Sequence, residues 1–118
     1  LQDVGSKMAG QLAVIGRKQL MIATALVSDP TLLMLDEPMG GLNAEERGFI
    51  LKLLGDLNRS GMTLLIIEHV MSALLSIADR LLILDYGKAI FEGPAKEALE
   101  DPKVVQAYLG AEAGILRS

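Results

Sequence analysis

Three short, continuous apolar runs organise the chain: Leu32–Leu35, Met62–Ile67 and Leu81–Leu84. Because they do not alternate with polar residues, they predict strands covered on both faces in a mainly parallel sheet. The segment between the first two runs has helical spacing instead, with apolar residues at Phe49, Ile50, Leu53, Leu54 and Leu57. Strands that alternate with helices predict an α/β fold with right-handed crossovers.

Helix-capping and helix-ending residues set the predicted helix boundaries. Asn43 followed by Glu46 fits a capping box at the start of the middle helix, and Gly61 suits its end. A preceding helix is predicted from about Arg17 to Ser28, before the Asp-Pro pair, and a following one from Met71 to Ala78.

The pattern changes after the third run. The stretch DYGKAIFEG predicts a β-hairpin that turns at Tyr86–Gly87 and returns along Lys88–Glu92. Pro94 suits the first turn of a short helix through Leu99. A last helix is predicted over Pro102–Leu109, with residues 111–118 as a tail.

Composition narrows the class of protein. The 118 residues include 51% apolar residues, enough for one domain or part of one, and no cysteine, which excludes disulfides and thiolate metal sites. No uncharged apolar run reaches the roughly 18 residues of a transmembrane helix. A net charge of −4 argues against nucleic acid as the main partner. Since the chain begins with Leu1 and not Met, we expect that it was processed or cut from a longer protein.

Titratable residues follow the first two apolar runs directly. Asp36 and Glu37 end the first, and Glu68 and His69 end the second. Ligands of open parallel sheets bind beyond the carboxyl ends of the strands, so a site at this edge is predicted. One carboxylate suits a hydrated Mg²⁺, and the other suits the activation of a water molecule. The alternative is two strands that end in ordinary solvent-exposed polar residues, with a structural histidine.

Several ordered motifs resemble the carboxyl-terminal half of ABC-type ATPases, the nucleotide-binding subunits of ABC transporters. LLMLDEP resembles the Walker B strand with its catalytic glutamate, GGLN the D-loop, and LLIIEH the strand that ends in the switch histidine. The segments YGKAIFEG and DPKVVQAYLG are most similar to the ATPases of branched-chain amino acid importers. The resemblance covers about residues 10–110 and implies the carboxyl-terminal part of a P-loop NTPase core of the RecA-like type.

The resemblance implies ATP and Mg²⁺ as cofactors and a role for each matching residue. Asp36 would bind Mg²⁺ through water, Glu37 would be the general base, and His69 would contact the γ-phosphate. Three D-loop residues would touch the opposite subunit of an ATPase dimer: Gly41, Leu42 and Asn43. For these positions the plain alternatives are a polar strand end and a helix cap.

The sequence departs from the family pattern at two places. The signature loop of the family reads like LSGGQ, whereas the aligned stretch here is LAVIG. Ala13 stands where a hydroxyl is expected, so phosphate would be held by backbone N–H groups at a helix start, with Arg17 and Lys18 nearby. The candidate ligands are four consecutive residues: Ala13, Val14, Ile15 and Gly16. A simple helix entry is the alternative.

The phosphate-binding loop is the second departure. Its pattern is G-x-x-x-x-G-K-[ST] after a strand. The only candidate, GSKMAGQL, has Gln11 and Leu12 in place of the lysine and the hydroxyl. We interpret it as the end of the helical subdomain of the family, which assigns residues 1–28 to that subdomain and residues 29–110 to the catalytic core.

The resemblance implies a subunit that hydrolyses ATP to power uptake of branched-chain amino acids or a related solute. Its partners would be a second ATPase subunit, identical or not, transmembrane permease subunits and, indirectly, a periplasmic or extracellular solute-binding protein. It would lie peripherally on the cytoplasmic side of the membrane. The alternatives are a truncated, non-catalytic dimerisation module and a soluble ABC ATPase of DNA repair or translation. The 118 residues alone are expected to be inactive.

Overall fold

The structure is a computed structural model that describes residues 13–107. The helices and strands follow in the order α1 (Val14–Leu26), β1 (Leu32–Asp36), α2 (Ala44–Arg59), β2 (Thr63–Ile67), α3 (Met71–Ile77), β3 (Arg80–Asp85), β4 (Lys88–Pro94) and α4 (Ala95–Ala98). Residues 102–107 are also helical. The predicted α/β fold is confirmed.

The chain divides into two compact units between residues 73 and 74. In the first, β1 and β2 pair in parallel, from Leu32 opposite Thr63 to Asp36 opposite Ile67. Helix α2 connects the two strands and contacts β2. This strand–helix–strand arrangement follows directly from the switch between continuous apolar runs and helical spacing in the sequence.

The predicted capping box at the start of α2 is present. The Asn43 side chain accepts a hydrogen bond from the Glu46 N–H at 2.9 Å, and the Glu46 carboxylate accepts one from the Asn43 N–H at 3.0 Å. At the other end, Gly61 adopts a φ of 109°, a left-handed conformation that glycine takes without strain. These contacts satisfy backbone groups that the helix ends would otherwise leave unpaired.

The parallel pair of strands is covered on one face only within the described residues. Leu33 and Leu35 are buried, whereas Met34 and Ile67 remain 63% and 60% exposed. The sequence predicted burial on both faces, and here the structure differs. The apolar side chains of the bare face are Leu32, Met34, Leu65 and Ile67. The continuous apolar runs correctly predicted apolar side chains on both faces of the strand pair. Among the described residues, a helix covers only one of the two faces.

The second unit contains the predicted hairpin. β3 and β4 pair antiparallel with a register shift between Ile83 and Leu84, so the described strands form one parallel and one antiparallel pair. The third apolar run was predicted for the mainly parallel sheet, and this was wrong: among the described strands it pairs only with β4. The turn is at Tyr86 and Gly87, whose φ angles of 47° and 77° are those of a two-residue turn that matches strand twist. Pro94 ends β4 and caps α4, one position earlier than the predicted first-turn placement.

Some sequence predictions fall partly or wholly outside the described residues. The last predicted helix is present over residues 102–107, and its final two residues lie outside the described part of the chain. The candidate loop Gly5–Leu12 and the tail 111–118 also lie outside it. The boundary between residues 28 and 29 stays a prediction. Between residues 13 and 107, every helix is too short or too polar to cross a bilayer.

Candidate functional site

The carboxyl ends of β1 and β2 bring the predicted site residues to one edge of the first unit. Asp36 is the last residue of β1 and lies opposite Ile67 at the end of β2. The Glu37 N–H donates a hydrogen bond of 2.7 Å to the Ile67 carbonyl, which extends the pairing by one step. Because the strands are parallel, the residues that follow each one emerge side by side.

Glu37 occupies an unusual backbone conformation. Its φ is 50°, in the left-handed region that residues other than glycine seldom adopt and that costs about 1–3 kcal/mol. Its carbonyl accepts hydrogen bonds from the Gly40 N–H and from Lys18 Nζ, both at 3.1 Å. These two donors fix the turn, while the Glu37 carboxylate stays 59% exposed and accessible to water.

The Lys18 contact was not predicted from the sequence. The Arg17–Lys18 pair was placed only near a helix start, whereas Lys18 reaches from α1 to the residue after β1. A lysine that follows a helix start carries no sequence signal for such a contact. The Lys18 side chain therefore links the first turns of α1 to the turn that follows β1.

His69 lies beside both glutamates of the site. Its Nδ1 atom is 3.4 Å from Glu37 Oε1 and 3.3 Å from Glu68 Oε1. The His69 side chain is 72% exposed, so a ligand at this edge can reach the ring. The structure therefore brings together the predicted base and the predicted phosphate-sensing histidine.

Asp36 is suited to a hydrated metal ion. The residue is exposed, and among the described residues its carboxylate makes no hydrogen bond or ion pair. No group of three or more His, Asp or Glu side chains with metal-ligand geometry is present between residues 13 and 107. A single exposed carboxylate suits Mg²⁺, which keeps several waters and takes few protein ligands.

The loop Gly41–Asn43 lies next to the start of α1. Gly41 has a φ of 77°, and a Cβ atom there would lie 3.2 Å from Val14 Cγ1. Leu42 is only 5% exposed, so its side chain is buried in the described structure. Of the three residues predicted to touch a partner, Gly41 and Asn43 are exposed and Leu42 is not.

The predicted ATP-contacting residues 13–16 form the start of α1. Ala13 is the N-cap with no side-chain capping bond, which is the expected consequence of a missing hydroxyl. Its carbonyl accepts the Arg17 N–H at 3.0 Å, whereas the first N–H groups of any helix have no intrahelical partner. This helix start can therefore receive an anion through its backbone.

Comparisons with known proteins agree with the resemblance. Residues 90–114 match the model of a family described as branched-chain amino acid ATP-binding cassette transporter. Over 111 residues the chain is 36% identical to the high-affinity branched-chain amino acid transport ATP-binding protein LivG of Salmonella typhimurium, covering 93% of this chain and 44% of that protein. It is 41% identical over 100 residues to the methionine import ATP-binding protein MetN of Mesorhizobium japonicum, covering 81% of this chain and 27% of that protein.

A solved structure has the same fold. The ADP conformation of an ATP-binding cassette of an ABC transporter is similar with a TM-score of 0.77 and 34% identity, covering 88% of this chain and 42% of that chain. The chain thus spans less than half the length of these relatives.

Proposed function

We propose that this chain, which belongs to the ATP-binding subunits of ABC transporters and corresponds to their carboxyl-terminal part, supplies the metal- and water-binding side of an ATP-hydrolysing site. The observation that carries the proposal is the meeting of Asp36, Glu37 and His69 at the parallel ends of β1 and β2. The full site requires a phosphate-binding loop, and none matches within these 118 residues.

In this proposal the acidic residues divide the work. Asp36 holds Mg²⁺ through bound water, and that ion supplies charge neutralisation for the phosphates of ATP. Glu37 orients the attacking water and accepts its proton, since its carboxylate is exposed while its backbone is fixed. His69 contacts the γ-phosphate from the side of the ring that does not face the glutamates.

We further propose that the loop Gly41–Asn43 and the start of α1 contact a second subunit. Residues 13–16 bind the nucleotide of that subunit through backbone N–H groups. Gly41 and Asn43 make the contact between subunits, and the buried Leu42 supports the loop from inside. Residues 1–28 belong to the helical subdomain and residues 29–110 to the catalytic core.

We extend the proposal to the substrate and the partners, on the basis of the similar proteins. We assign the subunit to the uptake of branched-chain amino acids or a related solute, because the family match lies in residues 90–114 and the LivG relative aligns over 93% of the chain. It would act with a second ATPase subunit and with transmembrane permease subunits, and indirectly with a solute-binding protein. Its place would be the cytoplasmic face of the membrane.

An Asp36→Asn substitution tests the metal role. The test uses a fused subunit, in which the amino-terminal part of LivG precedes this chain. Asparagine keeps the size and removes the charge, so the Mg²⁺ concentration that half-saturates ATP hydrolysis should rise about 10–100-fold, as for other residues that act on a metal through its water shell. Asp85→Asn, an exposed change of equal charge in the hairpin, is the control. If the unsubstituted fused subunit, Asp36→Asn and Asp85→Asn required the same Mg²⁺ concentration, Asp36 would not be a metal-binding residue.

A further inference from the structure

The Glu68 side chain is buried at the edge where its neighbours are exposed, although the residue as a whole, backbone included, is only half-buried. Its side chain is 1% exposed, whereas the side chains of His69 and Glu37 are 72% and 59% exposed. Charged side chains are almost never fully buried unless they are paired, because removing a carboxylate from water is costly. The position of Glu68 therefore requires specific partners.

Two backbone amides from different segments occupy the Glu68 carboxylate. The Met39 N–H donates to Oε2 at 3.1 Å, and the His69 N–H donates to Oε1 at 3.0 Å. Hydrogen bonds to an ionised acceptor are stronger than bonds between neutral groups. Glu68 thus ties the turn after Glu37, which leads to the loop Gly41–Asn43, to the residue at the end of β2.

The same carboxylate faces the His69 ring. Nδ1 lies 3.3 Å from Glu68 Oε1 and 3.4 Å from Glu37 Oε1, so two acceptors stand on one edge of the imidazole. The hydrogen bond made by one ring nitrogen decides which nitrogen carries the proton. A carboxylate fixed by two amides cannot rotate away from Nδ1 without losing those bonds. Glu37, which is exposed, has no such restraint from its own side chain.

We propose that Glu68 is a positioning residue: fixed by the Met39 and His69 amides, it holds Nδ1 of His69 as the protonated nitrogen and leaves Nε2 for a ligand. The identity of that ligand as a phosphate rests on the proposed function, whereas the orientation of the ring does not. The competing explanation is that Glu68 only satisfies the Met39 amide and has no influence on the ring.

Nitrogen-15 NMR of the 118-residue chain separates these explanations. His69 is the single histidine, so its two ring nitrogens give the only imidazole signals. At about pH 9, where an ordinary histidine is neutral, the wild-type ring should carry its proton on Nδ1. In Glu68→Gln the ratio of the Nδ1–H to the Nε2–H form should fall about fivefold or more, the effect of one ordinary hydrogen bond. Exchange of the Met39 amide with solvent should become about fivefold faster or more, because that amide loses its charged acceptor.

Glu45→Gln is the matched control, an exposed change of equal charge in the same unit. It should leave both the tautomer ratio and Met39 exchange unchanged. An unchanged ratio in Glu68→Gln, with faster Met39 exchange, would reduce Glu68 to a structural role and overturn the proposal. If Glu68→Gln does not fold, two other spectra decide. A proton on Nε2 in the wild type contradicts the proposal, and so does loss of the Nδ1 proton in Glu37→Ala, which removes only the other acceptor; an Nδ1 proton that persists in Glu37→Ala supports it. These measurements use no nucleotide, so their outcome does not depend on whether the protein takes part in ATP hydrolysis.

Discussion

Glu37→Gln in the fused subunit should lower the rate of ATP hydrolysis by about 10²–10⁴-fold, the contribution usual for a positioned general base. Glutamine has the size of glutamate and can keep the backbone contacts to Lys18 and Gly40, which involve the carbonyl of residue 37 and not its side chain. It cannot accept a proton from water. ATP binding should therefore change little while the chemical step is lost.

The control for this loss is Glu45→Gln, which removes an equal charge from an exposed position at the start of α2. Initial rates of phosphate release at saturating MgATP compare the variants, and equilibrium binding of ATP verifies that the site is intact. A decrease of less than about tenfold in Glu37→Gln would assign the base to another group. Loss of ATP binding in that variant would indicate a structural role instead.

Leu54→Ala should destabilise the chain by about 2–5 kcal/mol, because it removes methyl groups from a side chain with 0% exposure and leaves a cavity. Met34→Ala, a truncation of similar size on the bare face of β1, should cost less than about 1 kcal/mol, since Met34 is already 63% exposed. Urea unfolding followed by circular dichroism measures both in the 118-residue chain.

The difference between the two free-energy losses distinguishes a buried position of α2 from the exposed face of β1. Equal losses for Leu54→Ala and Met34→Ala would mean that the bare face is covered in solution by another chain. Repeating both titrations over a range of protein concentrations identifies that case, because the stability of an associating protein depends on its concentration.

Local sequence signals predicted most of the fold. The two parallel strands, the capping box of Asn43 and Glu46, and the turn at Tyr86–Gly87 all depend on residues close to one another in the chain. Such features follow from hydrogen-bonding and φ preferences that each residue type carries with it. The edge that holds Asp36 and His69 was also predictable, because parallel strands end at the same side of a sheet.

Contacts between distant segments were not predictable in the same way. Three contacts depend on segments that are distant in the sequence and close in the fold. They are the burial of the Glu68 side chain, the hydrogen bond from Lys18 to the Glu37 carbonyl, and the burial of Leu42. An acidic residue after an apolar run gives the same sequence pattern whether its side chain is exposed, as that of Asp36 is, or buried, as that of Glu68 is. The coverage of a strand face likewise depends on chain outside the strand itself.

Phosphate release from ATP by the 118-residue chain, measured beside the fused subunit at equal concentration, shows whether Asp36 and Glu37 need a phosphate-binding loop supplied by other residues. The chain carries the proposed metal and base residues but no sequence that matches a phosphate-binding loop, and phosphoryl transfer depends on positioning by both. We predict release no faster than a protein-free blank for the chain alone, and MgATP-dependent release for the fused subunit. Release by the chain alone that Glu37→Gln abolishes, or an inactive fused subunit that still binds MgATP, would contradict the proposal.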